Sequence, residues 1–290
     1  MTEPIQSLPS LRMCDEALSL SERVVAEETP IALVYDGSTH AVMMATPMNL
    51  EDFALGFSLA EGKIESREEI ASLDVVEQPN GIELRMWLRP NAGRRIAQRR
   101  RALLGPVGCG ICGVESLEQA LPELKPVSAD LKVSAVEVQA AVASLAPAQR
   151  LNAEARALHA AGFWTLERGL IALREDVGRH NAVDKLMGAL CHGGIDPATG
   201  LVVVTSRVSV ELVQKAATMG APFLVAISAP TALSLRVADE AGITIIGIAR
   251  DDGFEIFTHP HRIVAEPVSP ISGLLRQSRS IREAQSHAAY

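Results

Sequence analysis

Apolar runs broken by Gly, Pro and Asn–Gly signals fill the first ninety residues, and apolar strands alternating with helical patterns fill the last ninety. Ile31–Tyr35 and His40–Ala45 read as strands around an Asp36–Gly37–Ser38 turn. Asn49 opens a helix with Glu51 and Asp52 in its first turn. Leu50, Phe53, Ala54 and Phe57 form its apolar face, and Gly62 closes it. Strands at 73–77 and 82–88 flank Asn80–Gly81, a strong hairpin signal. Further on, Pro122 and Pro126 mark a linker, and Ser134 with Glu137 forms a capping-box pattern ahead of an Ala/Val helix. A second hairpin is predicted from 163–167 and 170–174 around Arg168–Gly169. Leu201–Val204, Phe223–Ile227 and Ile243–Ile248 are apolar strands, with helices at 209–219 and 231–240 between them and a last strand at 255–258. This alternation predicts an α/β chain whose sheet is mainly parallel and covered by helices. It divides into a poorly ordered arm over 1–24, a smaller N-terminal α+β domain over 25–125 and a C-terminal α/β domain over 126–290.

Composition sharpens this picture. Hydrophobic residues make up 48% but aromatics only 3%, so the core is built from Leu, Val, Ile and Ala, as in α/β layers. The net charge of −8 speaks against a general nucleic-acid binder, which needs clustered cations. The local exception is the run Arg94, Arg95, Arg99, Arg100 and Arg101, read either as a solvated face or as part of an anion site. No stretch reaches the roughly 18 apolar residues of a membrane helix, and Met1–Ser21 has no export pattern. The expected location is the cytoplasm, where Cys14, Cys109, Cys112 and Cys191 are thiols and not a disulfide framework.

Three segments carry candidate chemistry. In Gly108–Cys109–Gly110–Ile111–Cys112–Gly113, glycines let the backbone turn tightly around two thiols that can exchange a bond or pass a sulfur onward. A zinc site is disfavoured, since about four ligands are needed and no second Cys-x-x-Cys exists. A zinc deaminase would add an upstream His-x-Glu, which is absent. A dithiol oxidoreductase remains the rival to a sulfur carrier on these residues alone. The second segment, Glu175 to Lys185, crowds polar groups between a strand and a helix, with His180 and Asp184 sharing one helix face; a site and a well-capped helix fit it equally. The third, Thr205 to Glu211, lies at the carboxyl end of a strand, where α/β sheets bind ligands and a helix start attracts phosphate.

Together these segments resemble the formate dehydrogenase accessory sulfurtransferases, the FdhD family, from about Glu28 to Arg262. The matching motifs include Glu28–Thr29–Pro30, Thr46–Pro47, the Cys109–Gly113 loop, Asp176–Lys185, Ser209–Lys215 and Ser228–Thr231, in the family's order. The resemblance implies a soluble, homodimeric sulfurtransferase with a cytidine-deaminase-like C-terminal domain and no metal of its own. Such proteins accept persulfide sulfur from a cysteine desulfurase and deliver it to the bis-molybdopterin guanine dinucleotide cofactor of the formate dehydrogenase catalytic subunit. It assigns catalysis to Cys109 and Cys112. It assigns cofactor binding to Arg179, His180, Asn181, Asp184 and Lys185, to Ser206, Arg207 and Ser209, and to Gly247, Ile248, Ala249, Arg250, Asp251, Asp252 and Gly253. The chain departs from the family pattern at Ala155–Arg156–Ala157, at Ser206 and at Ile248. A cofactor-binding chaperone without sulfur transfer is the other alternative.

Overall fold

The structure is a computed structural model, and it describes residues 2–93, 123–250 and 252–264. The cysteine loop, with Cys109 and Cys112, and the arginine run before it lie outside the described residues, as does Asp251.

The segment expected as an arm is instead a hairpin. β1 (Ile5–Cys14) pairs antiparallel with β2 (Ala17–Ala26) along ten residues. Asp15 and Glu16 turn the chain with φ of 49° and 66°. Two consecutive left-handed residues suit a type I′ turn, which sequence usually signals with Asn–Gly and here does not. β3 (Thr29–Tyr35) and β4 (Ser38–Ala45) follow as a second hairpin, and then α1 (Leu50–Ala60). Next come β5 (Ile70–Gln78) and β6 (Gly81–Leu88), each longer than expected. β6 lies parallel to β3, giving a four-stranded sheet in the order β4-β3-β6-β5. Alternate residues of β3 and β6, Ile31, Leu33, Leu84 and Met86 among them, face Phe53 and Phe57 of α1 in one apolar cluster.

Beyond residue 122 come β7 (Val133–Ser134), α2 (Ala135–Ala143), α3 (Leu145–Ala148) and α4 (Arg150–Ala155). The Ser134–Glu137 capping box is present, with Glu137 N–H donating to Ser134 Oγ at 3.3 Å. β8 (His159–Thr165) and β9 (Gly169–Asp176) form the hairpin expected around Arg168–Gly169. The rest runs α5 (Arg179–His192), β10 (Gly200–Val204), α6 (Val210–Met219), β11 (Phe223–Ala226) and α7 (Ala232–Glu240). It ends with β12 (Thr244–Arg250), β13 (Gly253–Ile256) and β14 (Ile263–Val264).

The second sheet is mixed, which corrects the expectation of a mainly parallel one. Its order is β13-β12-β11-β10-β8-β9; β10, β11 and β12 are parallel, and the other three joins are antiparallel. Hydrophobic runs show that a strand is buried on both faces, but they carry no sign of its direction. In β10, Val202 and Val204 enter the cluster beneath α5–α7, while Leu201 and Val203 enter the opposite cluster with Val138 and Leu145.

α1 and α5 cross in close contact. A Cβ on Gly56 would fall 1.7 Å from the Asp184 carbonyl oxygen, and one on Gly188 would fall 2.0 Å from that of Asp52. Each helix therefore approaches the other backbone to backbone. α5 is trapped between α1 and the second sheet, and every residue from 181 to 188 is buried.

Candidate functional site

The segment from Asp176 to Lys185 folds around a buried carboxylate. Asp176, fully buried, ends β9, and Lys185, also fully buried, reaches back toward the start of α5 to pair with its Oδ2 at 2.6 Å. Burial pushes the Lys185 ammonium below its usual range, and Asp176 opposes that shift. The remaining capacity of Asp176 is filled by Thr46 N–H at 3.0 Å, Gly178 N–H at 2.7 Å and Asn181 Nδ2 at 3.0 Å. Lys185 also donates to the Thr46 carbonyl at 2.8 Å, Asn181 to the Met44 carbonyl at 2.9 Å, and Val177 N–H to Thr46 Oγ1 at 3.1 Å. The chain between β4 and α1 is thus bonded to the chain between β9 and α5. Asn181 and Lys185, expected to touch a cofactor, turn these polar atoms into the knot.

Asp184 also points inward. It is buried and accepts from Lys215 Nζ at 2.7 Å, and Lys215 lies 3.7 Å from Glu61 at the end of α1. Burial raises the Asp184 pKa to about 6, against the pull of Lys215. A raised carboxyl pKa means that the folded protein holds this proton more tightly than the unfolded chain. Asp184 therefore contributes less stability as pH climbs from about 4 through 6. In Asp184→Asn that downward slope disappears, so the urea midpoints of variant and wild type diverge between about pH 4 and 6, where only the wild type loses stability as pH rises.

Arg179 and His180 start α5, at the edge where β9, β10 and β11 end and α5, α6 and α7 begin, with the end of β12 alongside. That edge gathers most of the other expected residues. Ser209 is the N-cap residue of α6, and its hydroxyl lies 3.4 Å from His180 Nε2. Arg207, just before it, is exposed, whereas Ser206 is buried with its hydroxyl donating to the Arg207 carbonyl at 3.1 Å. Arg179 Nε is buried without a partner among the described residues, so a donor there is available to an anion.

Two strands along from β10, the β12–β13 residues line the same edge. Ile248 N–H donates to the Ser228 carbonyl at 3.2 Å, tying this turn to the start of the α7 loop. The register shifts between Gly247 and Arg250, and Ile248 holds a left-handed φ of 52°. Such a conformation is costly for a β-branched residue, and strain of this kind clusters at functional sites. Arg250 and Asp252 are exposed, Gly253 is partly exposed and Ala249 is buried.

Sequence reasoning left three residues of this edge out of its site. His159 opens β8 opposite Asp176, and burial followed by the Arg179 charge lowers its pKa. Glu211 accepts from Ser209 Oγ and lies 3.0 Å from His180 Nε2. Thr46 sits 130 residues before the carboxylate it holds, and its only signal was the Thr–Pro pair. His180 is itself pushed to a lower pKa by burial, with the Glu211 charge opposing.

A separate hollow, bounded by Gln214, Leu233, Arg236 and Glu240, is lined by none of the expected site residues. Open strand ends, not this hollow, bring the charged and donor groups together. Among the described residues no group of three or more His, Cys, Asp or Glu could hold a metal ion, and no helix is long and apolar enough to cross a membrane.

Comparison with known proteins now bears on the site. The model of the FdhD/NarQ family matches residues 26–264. The chain is 52% identical over 246 residues to a protein of Agrobacterium fabrum named Sulfur carrier protein FdhD, covering 84% of this chain and 90% of that one. A protein of the same name from Cupriavidus necator is 45% identical over 249 residues, 86% of each. Among solved structures, a provisionally named formate dehydrogenase accessory protein from Desulfotalea psychrophila matches with a TM-score of 0.73 and 25% identity. That match covers 90% of this chain and 99% of the other.

Proposed function

The chain belongs to the FdhD/NarQ family, and from that premise we propose that it is a sulfur carrier for formate dehydrogenase maturation. The observation that carries this reading is the 52% identity, over most of both chains, to a protein named as a sulfur carrier. In detail, Cys109 accepts the sulfur and the carboxyl edge of the second sheet holds the cofactor that receives it.

The first step is a displacement. The Cys109 thiolate attacks the outer sulfur of a persulfide on a cysteine desulfurase. The donor's S–S bond breaks, the donor leaves as a thiolate, and Cys109 becomes a persulfide. Cys112 then shares the sulfur, or attacks Cys109 Sγ to close a disulfide, which supplies the two electrons that turn the outer sulfur into sulfide. The recipient is the bis-molybdopterin guanine dinucleotide cofactor of the formate dehydrogenase catalytic subunit, which the protein binds as substrate.

Its pyrophosphates suit the residues present at the edge. Arg179 offers a buried, unpartnered donor, Arg207 and Arg250 are exposed cations beside helix or strand ends, and Ser209 and His180 lie between them. Asn181, Asp184 and Lys185 serve the cofactor only by holding Arg179 and His180 in place. The alternation β10–α6–β11–α7–β12 is our ground for reading this layer as a cytidine-deaminase-like arrangement. Action in the cytoplasm as a homodimer completes the proposal.

The test is intact-protein mass spectrometry after incubation with a cysteine desulfurase and cysteine. Wild type gains a reductant-labile adduct of about 32 mass units, and Cys109→Ala gains none. A wild type that only loses two hydrogens is a dithiol oxidoreductase, and the sulfur-carrier reading fails.

A further inference from the structure

The start of α6 is arranged unlike the starts of α2 and α7. Ser134 and Thr231 each accept a hydrogen bond from their own helix in a capping box. Ser209 occupies the same position on α6 but makes no side-chain cap bond; its hydroxyl donates to Glu211 Oε2 at 3.0 Å. The same carboxylate oxygen lies 3.0 Å from His180 Nε2, where the imidazole of α5 meets it. One carboxylate thus engages both donors that the two helix starts present to the strand edge. Of these two side chains, Glu211 is the more exposed, at 56% against 31% for His180, so it can swing into solvent without disturbing the core.

We propose that Glu211 is a placeholder anion, which occupies the Ser209 and His180 donors in the free protein and gives them up to a phosphate group of the bound nucleotide. This rests on the reading of the carboxyl edge as the site of the cofactor's nucleotide, and it assigns Glu211 the control of that site's affinity. A carboxylate beside a helix start is favourable, as is a phosphate, and the two compete for the same donors. When Glu211 yields, the incoming group also gains the first-turn N–H groups of α6, which no side chain caps. The role requires a side chain that is both anionic and mobile, and the exposed position supplies both.

The experiment is calorimetric titration of the full chain with GDP, and in parallel with ADP and inorganic pyrophosphate, at fixed ionic strength. Removing a like charge about 5 Å from the ligand makes Glu211→Gln bind GDP and pyrophosphate about fivefold more tightly. Ser209→Ala, which removes the contested donor, binds both more weakly. Unchanged GDP affinity in Glu211→Gln, alongside normal binding by wild type, overturns the proposal and leaves the cofactor site standing. Weaker binding of GDP with ADP unaffected also overturns it, because Glu211 would then contact the guanine. Failure of every variant and of wild type to bind GDP or pyrophosphate removes the nucleotide site, and the placeholder with it.

Discussion

Lys185→Met lowers the unfolding free energy by about 3–5 kcal/mol, as measured by urea denaturation at pH 7. The cost does not come from lost attraction alone. Asp176 stays behind fully buried, and its three N–H partners, Thr46, Gly178 and Asn181, are neutral. An ionised carboxylate with no cation is expensive to bury, whereas replacing a buried pair with neutral groups can be nearly free. The double variant Lys185→Met with Asp176→Asn therefore recovers part of the loss. If it falls as far as the sum of the two single changes, the pair does not act as a unit.

The second large effect is steric. Gly188→Ala places a methyl group where the Asp52 carbonyl oxygen now sits, and Gly56→Ala does the same against Asp184. A helical glycine exposed to solvent would gain up to about 1 kcal/mol from this change. Here both ends of the clash are backbone, which cannot rotate aside, so the helices must separate. The expected loss is about 3 kcal/mol or more for either variant, read as a fall in the thermal midpoint. Once one methyl has pushed α1 and α5 apart, the second meets less resistance, so the double variant costs less than the sum. Full additivity would mean that the two glycines do not share one contact.

Much of this architecture was legible along the chain, and the exceptions have physical reasons. The β3–β4, β5–β6 and β8–β9 hairpins and the α2 cap were readable because each is written within one short continuous stretch of chain. Strand direction was not, because β8 and β10 show the same apolar run whichever way they point. The β1–β2 hairpin stayed hidden because Asp15 and Glu16 adopt positive φ without a glycine to announce it. The site was half legible. Arg179, His180, Arg207 and Ser209 lie along one edge, but a lysine and an asparagine near an arginine look like ligand-binding groups in any sequence. Their inward turn depends on α1, which packs over α5 from more than a hundred residues away. Glu211 was overlooked because, read along α6, it is one more acid in a first turn.

The bond between Thr46 and Asp176 also sets an order of events during synthesis. The two residues are separated by 130 positions, so Thr46 leaves the ribosome long before the carboxylate it must meet. At roughly 5–20 residues per second, the delay is on the order of ten seconds. Throughout that interval α1 has no α5 to lie against, and the glycine-lined surface that will receive the crossing helix stands open. The first sheet can assemble in that time, since all four of its strands are already made. Its helix cannot finish packing until α5, residues 179–192, has been made. A nascent chain stalled before residue 176 therefore leaves this face of α1 uncovered, and the α1–α5 junction closes only after the strands of the first sheet are complete.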